Sequence, residues 1–373
     1  MSTLSSIVVY MLTFAISMII SKLYQNYSIR KNDIMPKYKR VIWFLFIIAG
    51  PVFVSSIRYD VGTDYFGYIS WFDNINSLPL GDVIGSYGKE PLYLILNKVA
   101  FLLFKEPWGI FLLSSFLIHI FVIAGIDFFK AYLNIPMALF IYYMYHFSYG
   151  LNIMRQMIAI AIIFYSLKYI YKKQALKYIL LVIIASMFHN SAMISLLFYV
   201  VVYFLYNNNL NNKVKKILYY ITILLSPVIV YFGIEILIKI PIFARYERFI
   251  YDEVDLGIGF LISIIPIILP IFIFRKQILT KNRLFEPFIY LLLLNIPFSV
   301  VGYIANWGGR IALYTRMFYY ILPPILVNSL YIKNNRRVIK LYYVIYFLLY
   351  YFVQFVIVNN TGEVFPYNTI FGR

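Results

Sequence analysis

The chain has 373 residues, 62% of them hydrophobic and only 13% charged, a balance that excludes a soluble globular domain and makes the bilayer its solvent. A formal net charge of +18 raises the question of nucleic acid, but the cations sit in short loops between apolar runs, where they orient a membrane protein instead. With no cysteine, disulfides, thiolate metal sites and a cysteine nucleophile are all excluded.

The apolar runs are mostly about 15 to 20 residues long, which suits spanning helices rather than the alternating ten-residue strands of a membrane barrel. The expectation is one all-α domain, 1–373, a polytopic bundle of about twelve spans. The first, 4–22, lacks a basic n-region and a small-residue cleavage site, so it reads as a span and not a signal peptide. Spans follow at 41–57, 108–128, 136–150, 153–171, 176–189, 190–206, 217–238, 258–274, 286–303, 310–330 and 340–358. Pro91 to Phe104 is apolar but short and carries Asn97 and Lys98, so it reads as re-entrant or interfacial. The basic loops at 22–40, 168–177, 213–216, 275–283 and 333–340 then lie in the cytoplasm, and both termini lie outside. Most acids, Asp60, Asp64 and Glu90 among them, fall on the outer side, while only Asp33, Asp127 and Glu286 fall inside. Tyrosine pairs such as Tyr142-Tyr143 and Tyr350-Tyr351 fit interfacial aromatic belts.

Arginines recur at the outer ends of the apolar runs, and a cation at the membrane edge marks a candidate anion site. Arg58-Tyr59-Asp60-Val61-Gly62-Thr63-Asp64-Tyr65 packs one cation, two carboxylates and two phenols at the mouth of a span; the plain alternative is a solvated turn with Arg58 paired to Asp60. Asp60 and Asp64 have a spacing open to a divalent metal, but no histidine accompanies them, and no metal is expected. Asn152-Ile153-Met154-Arg155-Gln156 interrupts a long apolar run with more polarity than a hairpin tip requires, and Arg155 is the leading anion ligand, the alternative being a snorkelling arginine. Phe188-His189-Asn190-Ser191 divides a later run in the same manner, with His189 a general base, a phosphate ligand or a hairpin-tip hydrogen bonder. His119 and His146 fall inside spans among aromatics and read as packed core. A second outer loop carries Arg245 and Arg248 and then Asp252-Glu253-Val254-Asp255. Finally, Arg310 precedes Arg316, which is expected more than a turn down its helix and to need an acid such as Asp60, Asp64 or Glu235, or a phosphate, as partner.

Walker, dinucleotide, H-E-x-x-H and G-x-S-x-G motifs are absent from the sequence, which removes support for nucleotide-driven pumping, redox chemistry and hydrolase mechanisms. The Arg58 to Tyr65 stretch, Asn152-x-x-Arg155-Gln156 leading into an Ala-containing span, Phe188-His189-Asn190-Ser191-Ala192 and the closing Pro366-Tyr367-Asn368 resemble, in this order, the EpsG family of Wzy-type membrane polysaccharide polymerases.

The resemblance implies glycosyl transfer on the outer face of a bacterial cytoplasmic membrane, in exopolysaccharide, capsule or O-antigen synthesis. A growing glycan on undecaprenyl diphosphate passes to a hydroxyl of the next lipid-linked repeat unit. A flippase and a chain-length regulator of the same pathway are the implied partners, and no cofactor is implied. Arg58, Arg155, Gln156, Asn152, Arg245, Arg248, Arg310 and Arg316 are then candidates for the diphosphate and sugars, and His189, Asp64 and Asp60 for the base. A lipid-linked oligosaccharide flippase and a membrane glycan ligase or acyltransferase are the rival classes.

Overall fold

A computed structural model describes residues 2–30, 35–79, 81–83, 90–206, 212–239, 247, 259–305 and 308–372. The chain divides into two compact units, residues 1–193 with 340–373 and residues 194–339. Among the described residues five helices are long and apolar enough to cross a membrane, Thr3–Arg30, Lys37–Ser56, Trp108–Phe128, Arg283–Ile304 and Lys333–Ile357. A sixth forms if Ser263–Ile273 and Arg275–Lys281, bent by 59°, count as one span. Shorter apolar helices accompany them, so the protein is a multi-pass helical membrane protein.

The first unit is built from α1 (Thr3–Arg30), α2 (Lys37–Ser56), α3 (Tyr65–Ser77), α4 (Pro91–Phe104), α5 (Trp108–Phe128), α6 (Ile135–Tyr145), α7 (Phe147–Asn152), α8 (Met154–Tyr171) and α9 (Ala175–Ser186). Its passes are tied by hydrogen bonds that an apolar medium makes worth keeping. The Ser17 hydroxyl of α1 donates to the Ile47 carbonyl of α2 at 2.7 Å, and Tyr24 donates to Asp127 at the end of α5 at 2.6 Å. Asp127 also meets Lys130 at 3.1 Å and Arg40 at 3.8 Å, so this end of the unit holds an acid neutralised by loop cations. Helices α5 and α8 run in the same direction, Phe121 against Tyr165 and Phe128 against Tyr171. Gly125 permits their close approach, because a Cβ there would lie 2.6 Å from the Phe164 ring.

The opposite end carries the candidate site. Arg58, two residues beyond α2, lies 4.3 Å from the ring of Phe111 in the first turn of α5. The chain between α2 and α5 therefore leaves and returns at one end. Helix α4 within this excursion has 14 residues, about 21 Å at 1.5 Å per residue, against about 30 Å of hydrocarbon. Both facts accord with a segment that does not cross.

Several expected spans are broken. The run 136–150 is divided between α6 and α7 at His146, and α8 restarts after Ile153. In the second unit the expected span 286–303 holds within the crossing-length helix Arg283–Ile304, with a local irregularity between Glu286–Leu293 and Asn295–Ile304, where Pro297 lacks the N–H that would donate to Leu293. The expected span 310–330 becomes two 3-10 turns and the short helices Leu313–Arg316 and Leu322–Ser329, with Pro323 and Pro324 opening the latter. Arg316 thus closes a four-residue helix and does not lie more than a turn down a continuous one.

Candidate active site

The break at Ile153 puts Arg155 in the first turn of α8, where the helix dipole opposes a cation. A specific partner holds it there. Arg155 Nη1 donates to Oε2 of Glu90 at 2.5 Å, and its guanidinium lies over Trp71, 4.5 Å from the ring centroid. The other oxygen of Glu90, Oε1, is 2.6 Å from His189 Nδ1 and accepts a longer bond from the Asn190 backbone N–H at 3.4 Å. One carboxylate thus joins residues 65 and 99 positions away in sequence.

Local chemistry explains why Glu90 can sit there. It precedes Pro91 at the start of α4, where proline costs no helical donor and where the dipole favours an anion. The Leu92 N–H donates to the Met187 carbonyl at 3.1 Å, so the start of α4 is stitched to the turn that ends α9 and presents His189. The Glu90 side chain is only 9% exposed, whereas those of Arg155 and His189 keep 30% and 28%. Burial pushes the Glu90 carboxyl up, but the hydrogen bond from His189 and the charge of Arg155 outweigh it and leave the carboxyl below its ordinary value. Glu90 is therefore a carboxylate at neutral pH, and both of its partners stay partly exposed.

The Arg58 to Tyr65 loop is organised differently. Arg58 is 1% exposed and donates to the Ser55 carbonyl at 3.2 Å and to Met154 Sδ at 3.4 Å. It joins no ion pair among the described residues, so the alternative of an Arg58 to Asp60 pair is not what forms. Burial pushes its guanidinium down to about 10, still charged at neutral pH. The closing segment straps the loop: Tyr59 donates to Asn368, Gly62 to Glu363, Thr63 to Gly362 and Ile370 to Ile57, all through the backbone. Asn152 adds a side-chain clamp, its Oδ1 accepting from Thr63 Oγ1 at 2.8 Å and from the Asp64 N–H at 2.9 Å. Gly62 has φ +100° and its hydrogen faces the Leu151 carbonyl, where a Cβ would come within 2.8 Å.

Of the remaining candidates, Asp60 is exposed with φ +52°, Asp64 is half-buried just before α3, and Gln156 is buried in α8. Arg310 and Arg316 belong to the second unit, where Arg316 donates to Ser299 at 3.3 Å within a network that includes Asn295 and Thr315. Arg245, Arg248 and Asp252 to Asp255 lie outside the described residues. Among those described, no three histidine or acidic side chains gather as a metal site would require.

Glu90 completes the site without standing out in the sequence, where it is one more outer acid. Its signal was its place: an acid immediately before Pro91 and an apolar helix too short to cross. Trp71, the bed of Arg155, gave none.

A family model, described as the EpsG family, matches residues 41–369. No curated protein and no solved structure matches. With the match spanning nearly the whole chain and every motif of the site, this chain belongs to the EpsG family, which points to a membrane glycosyltransferase or polymerase role in polysaccharide biosynthesis.

Proposed function

We propose that the protein is a Wzy-type polymerase that extends lipid-linked oligosaccharide repeat units on the outer face of a bacterial cytoplasmic membrane, within a bundle of about twelve passes with both termini outside. The growing glycan leaves undecaprenyl diphosphate and joins a sugar hydroxyl of the next repeat unit. The observation that carries this reading is the convergence of Arg155 and His189 on one carboxylate at the end of the unit opposite the basic loops. The positive-inside rule makes that end the outer one.

The chemistry asks for two things. Negative charge develops on the departing diphosphate, and Arg155, half-exposed and preorganised on Trp71, offers forked donors to it without a metal. The acceptor hydroxyl must lose its proton, and an imidazole that keeps 28% exposure is placed to take it. As the hydroxyl oxygen bonds to the anomeric carbon, the carbon–oxygen bond to the diphosphate breaks and its electron pair leaves with that group. Tyrosine faces of the outer loop suit sugar rings. The charge of Arg58 contributes to the field from beneath, since its guanidinium is sealed from ligand.

The test is polymerisation of a defined undecaprenyl-diphosphate-linked repeat unit by the purified protein, with and without chelator. Chain growth that survives chelation is the expected result. Transbilayer movement of the substrate with no new glycosidic bond would overturn the polymerase in favour of a flippase, and dependence on a divalent ion would overturn the metal-free assignment.

A further inference from the structure

Glu90 uses both of its oxygens, one for each residue that the proposed reaction needs. An ionised carboxylate only accepts, so the proton in the 2.6 Å contact to His189 belongs to Nδ1. Neutral His189 is then left with its lone pair on Nε2. The carboxylate itself is rigidly mounted: Pro91 fixes the chain after it, and the Glu90 carbonyl accepts from Tyr93 and Leu94 at 3.1 and 3.3 Å. Arg155 on Oε2 keeps the carboxylate from turning away from the imidazole.

We propose that Glu90 is a positioning residue that fixes the tautomer and direction of His189, leaving Nε2 to accept the proton of the attacking sugar hydroxyl. This rests on the reading of His189 as the base. The arrangement has the logic of a nucleophile-activating relay, in which an orienting carboxylate never takes the proton itself. In the step, the hydroxyl proton moves to Nε2 while the oxygen bonds to the anomeric carbon and the diphosphate departs. The imidazolium that forms is stabilised by the Glu90 charge and returns its proton to solvent.

Arg155 makes the proposal sharp. In Glu90→Gln the amide has a single acceptor oxygen, and the guanidinium, which can only donate, claims it. The amide NH2 is then turned toward His189 Nδ1, which has to accept. That places the proton on Nε2 and removes the base. A shape-preserving substitution therefore inverts the tautomer.

The experiment is 15N nuclear magnetic resonance of the full-length protein carrying labelled histidine, of which it has three, with His189 assigned by the signal lost in His189→Ala. Wild-type His189 is expected in the Nδ1–H form when neutral, Glu90→Gln in the Nε2–H form, and Glu90→Asp restored to the first. Turnover on the defined lipid-linked unit should fall in Glu90→Gln by no more than in His189→Ala, about two to four orders of magnitude and mainly in kcat, with partial recovery in Glu90→Asp. Wild-type His189 in the Nε2–H form overturns the proposal whether or not any variant assembles. So does an unchanged tautomer with unchanged turnover in Glu90→Gln. Inversion of the tautomer together with full polymerisation by His189→Ala upholds the positioning by Glu90 and removes His189 as the base, so the two readings fail separately.

Discussion

Arg58 and Arg155 stand in two motifs of equal prominence, yet the fold treats them in opposite ways. Arg58 is 1% exposed, held by a carbonyl, a thioether and aromatic faces, with the closing segment strapped across its backbone. Arg155 leaves 30% of its side chain open and shares a carboxylate with a histidine. A cation sealed among aromatics has lost its water and its access to ligand together, so its work is to hold the loop and shape the field. A cation and an imidazole that share one carboxylate and both keep about 30% exposure are within reach of a ligand. Burial separates the two arginines: Arg155 is open to a ligand and Arg58 is not.

The largest expected effects fall on the open pair. His189→Ala should slow polymerisation by about two to four orders of magnitude while lipid-linked substrate still binds, as loss of a general base requires. Turnover and binding measured separately on purified variant check this, and a parallel loss of binding would make His189 a phosphate ligand. Arg155→Lys keeps the charge but loses the fork and the guanidinium contact over Trp71, and a missing transition-state donor costs about 3 kcal/mol, roughly a hundredfold in rate. Near-normal turnover in both variants, at normal abundance in the membrane, would erase the distinction drawn from burial.

Arg58→Lys tests the other side of the contrast. The ammonium cannot reproduce the guanidinium contact over Phe111 together with donation to Ser55 and Met154, so stability should fall by about 2 kcal/mol. Thermal unfolding in detergent should register this as a lower Tm, with turnover per folded molecule reduced less than in Arg155→Lys. The reverse ranking would give Arg58 the direct role.

Parts of this arrangement were legible because they broke a pattern. Arg155 and His189 each interrupt an apolar run, and polarity in the midst of apolar residues is visible in sequence. The short α4 was legible from length alone. Glu90 was not, because its role lies in partners 65 and 99 residues away and a single acid among outer loop acids carries no periodic mark. The strap was equally hidden: Pro366-Tyr367-Asn368 could be read as a motif, but its pairing with residues 57–63 is backbone bonding between chain segments some 300 residues apart. The breaks in 136–150 and 310–330 are hidden because hydropathy registers apolarity and not the backbone donors that residues such as Pro323 and Pro324 lack.

A smaller effect is expected at the clamp between the two regions. Asn152→Ala removes the acceptor of Thr63 Oγ1 and of the Asp64 N–H, and stranding these donors should cost about 1 to 2 kcal/mol. Limited proteolysis should find the 58–64 loop opened, with the Arg155 and His189 chemistry reduced only as far as the loop supports it. Unaltered protease resistance would mean that the backbone strap suffices.

The smallest effect belongs to Asp60, the loop acid that competes with His189 for the role of base. It is exposed, and its φ of +52° is a conformation that asparagine adopts at least as readily as aspartate, so Asp60→Asn changes the charge and leaves the backbone where it is. Stability should move by no more than about 0.5 kcal/mol, as is usual for an exposed site without a specific contact. Turnover should remain near wild type, because no carboxylate is needed at Asp60 when the imidazole on Glu90 takes the proton. Asp64→Asn is the companion measurement, since Asp64 is half-buried just before α3 and nearer to the enclosed part of the loop. A hundredfold loss in either variant, with His189→Ala active, would transfer the base to the loop and leave the Glu90 centre to bind the diphosphate alone.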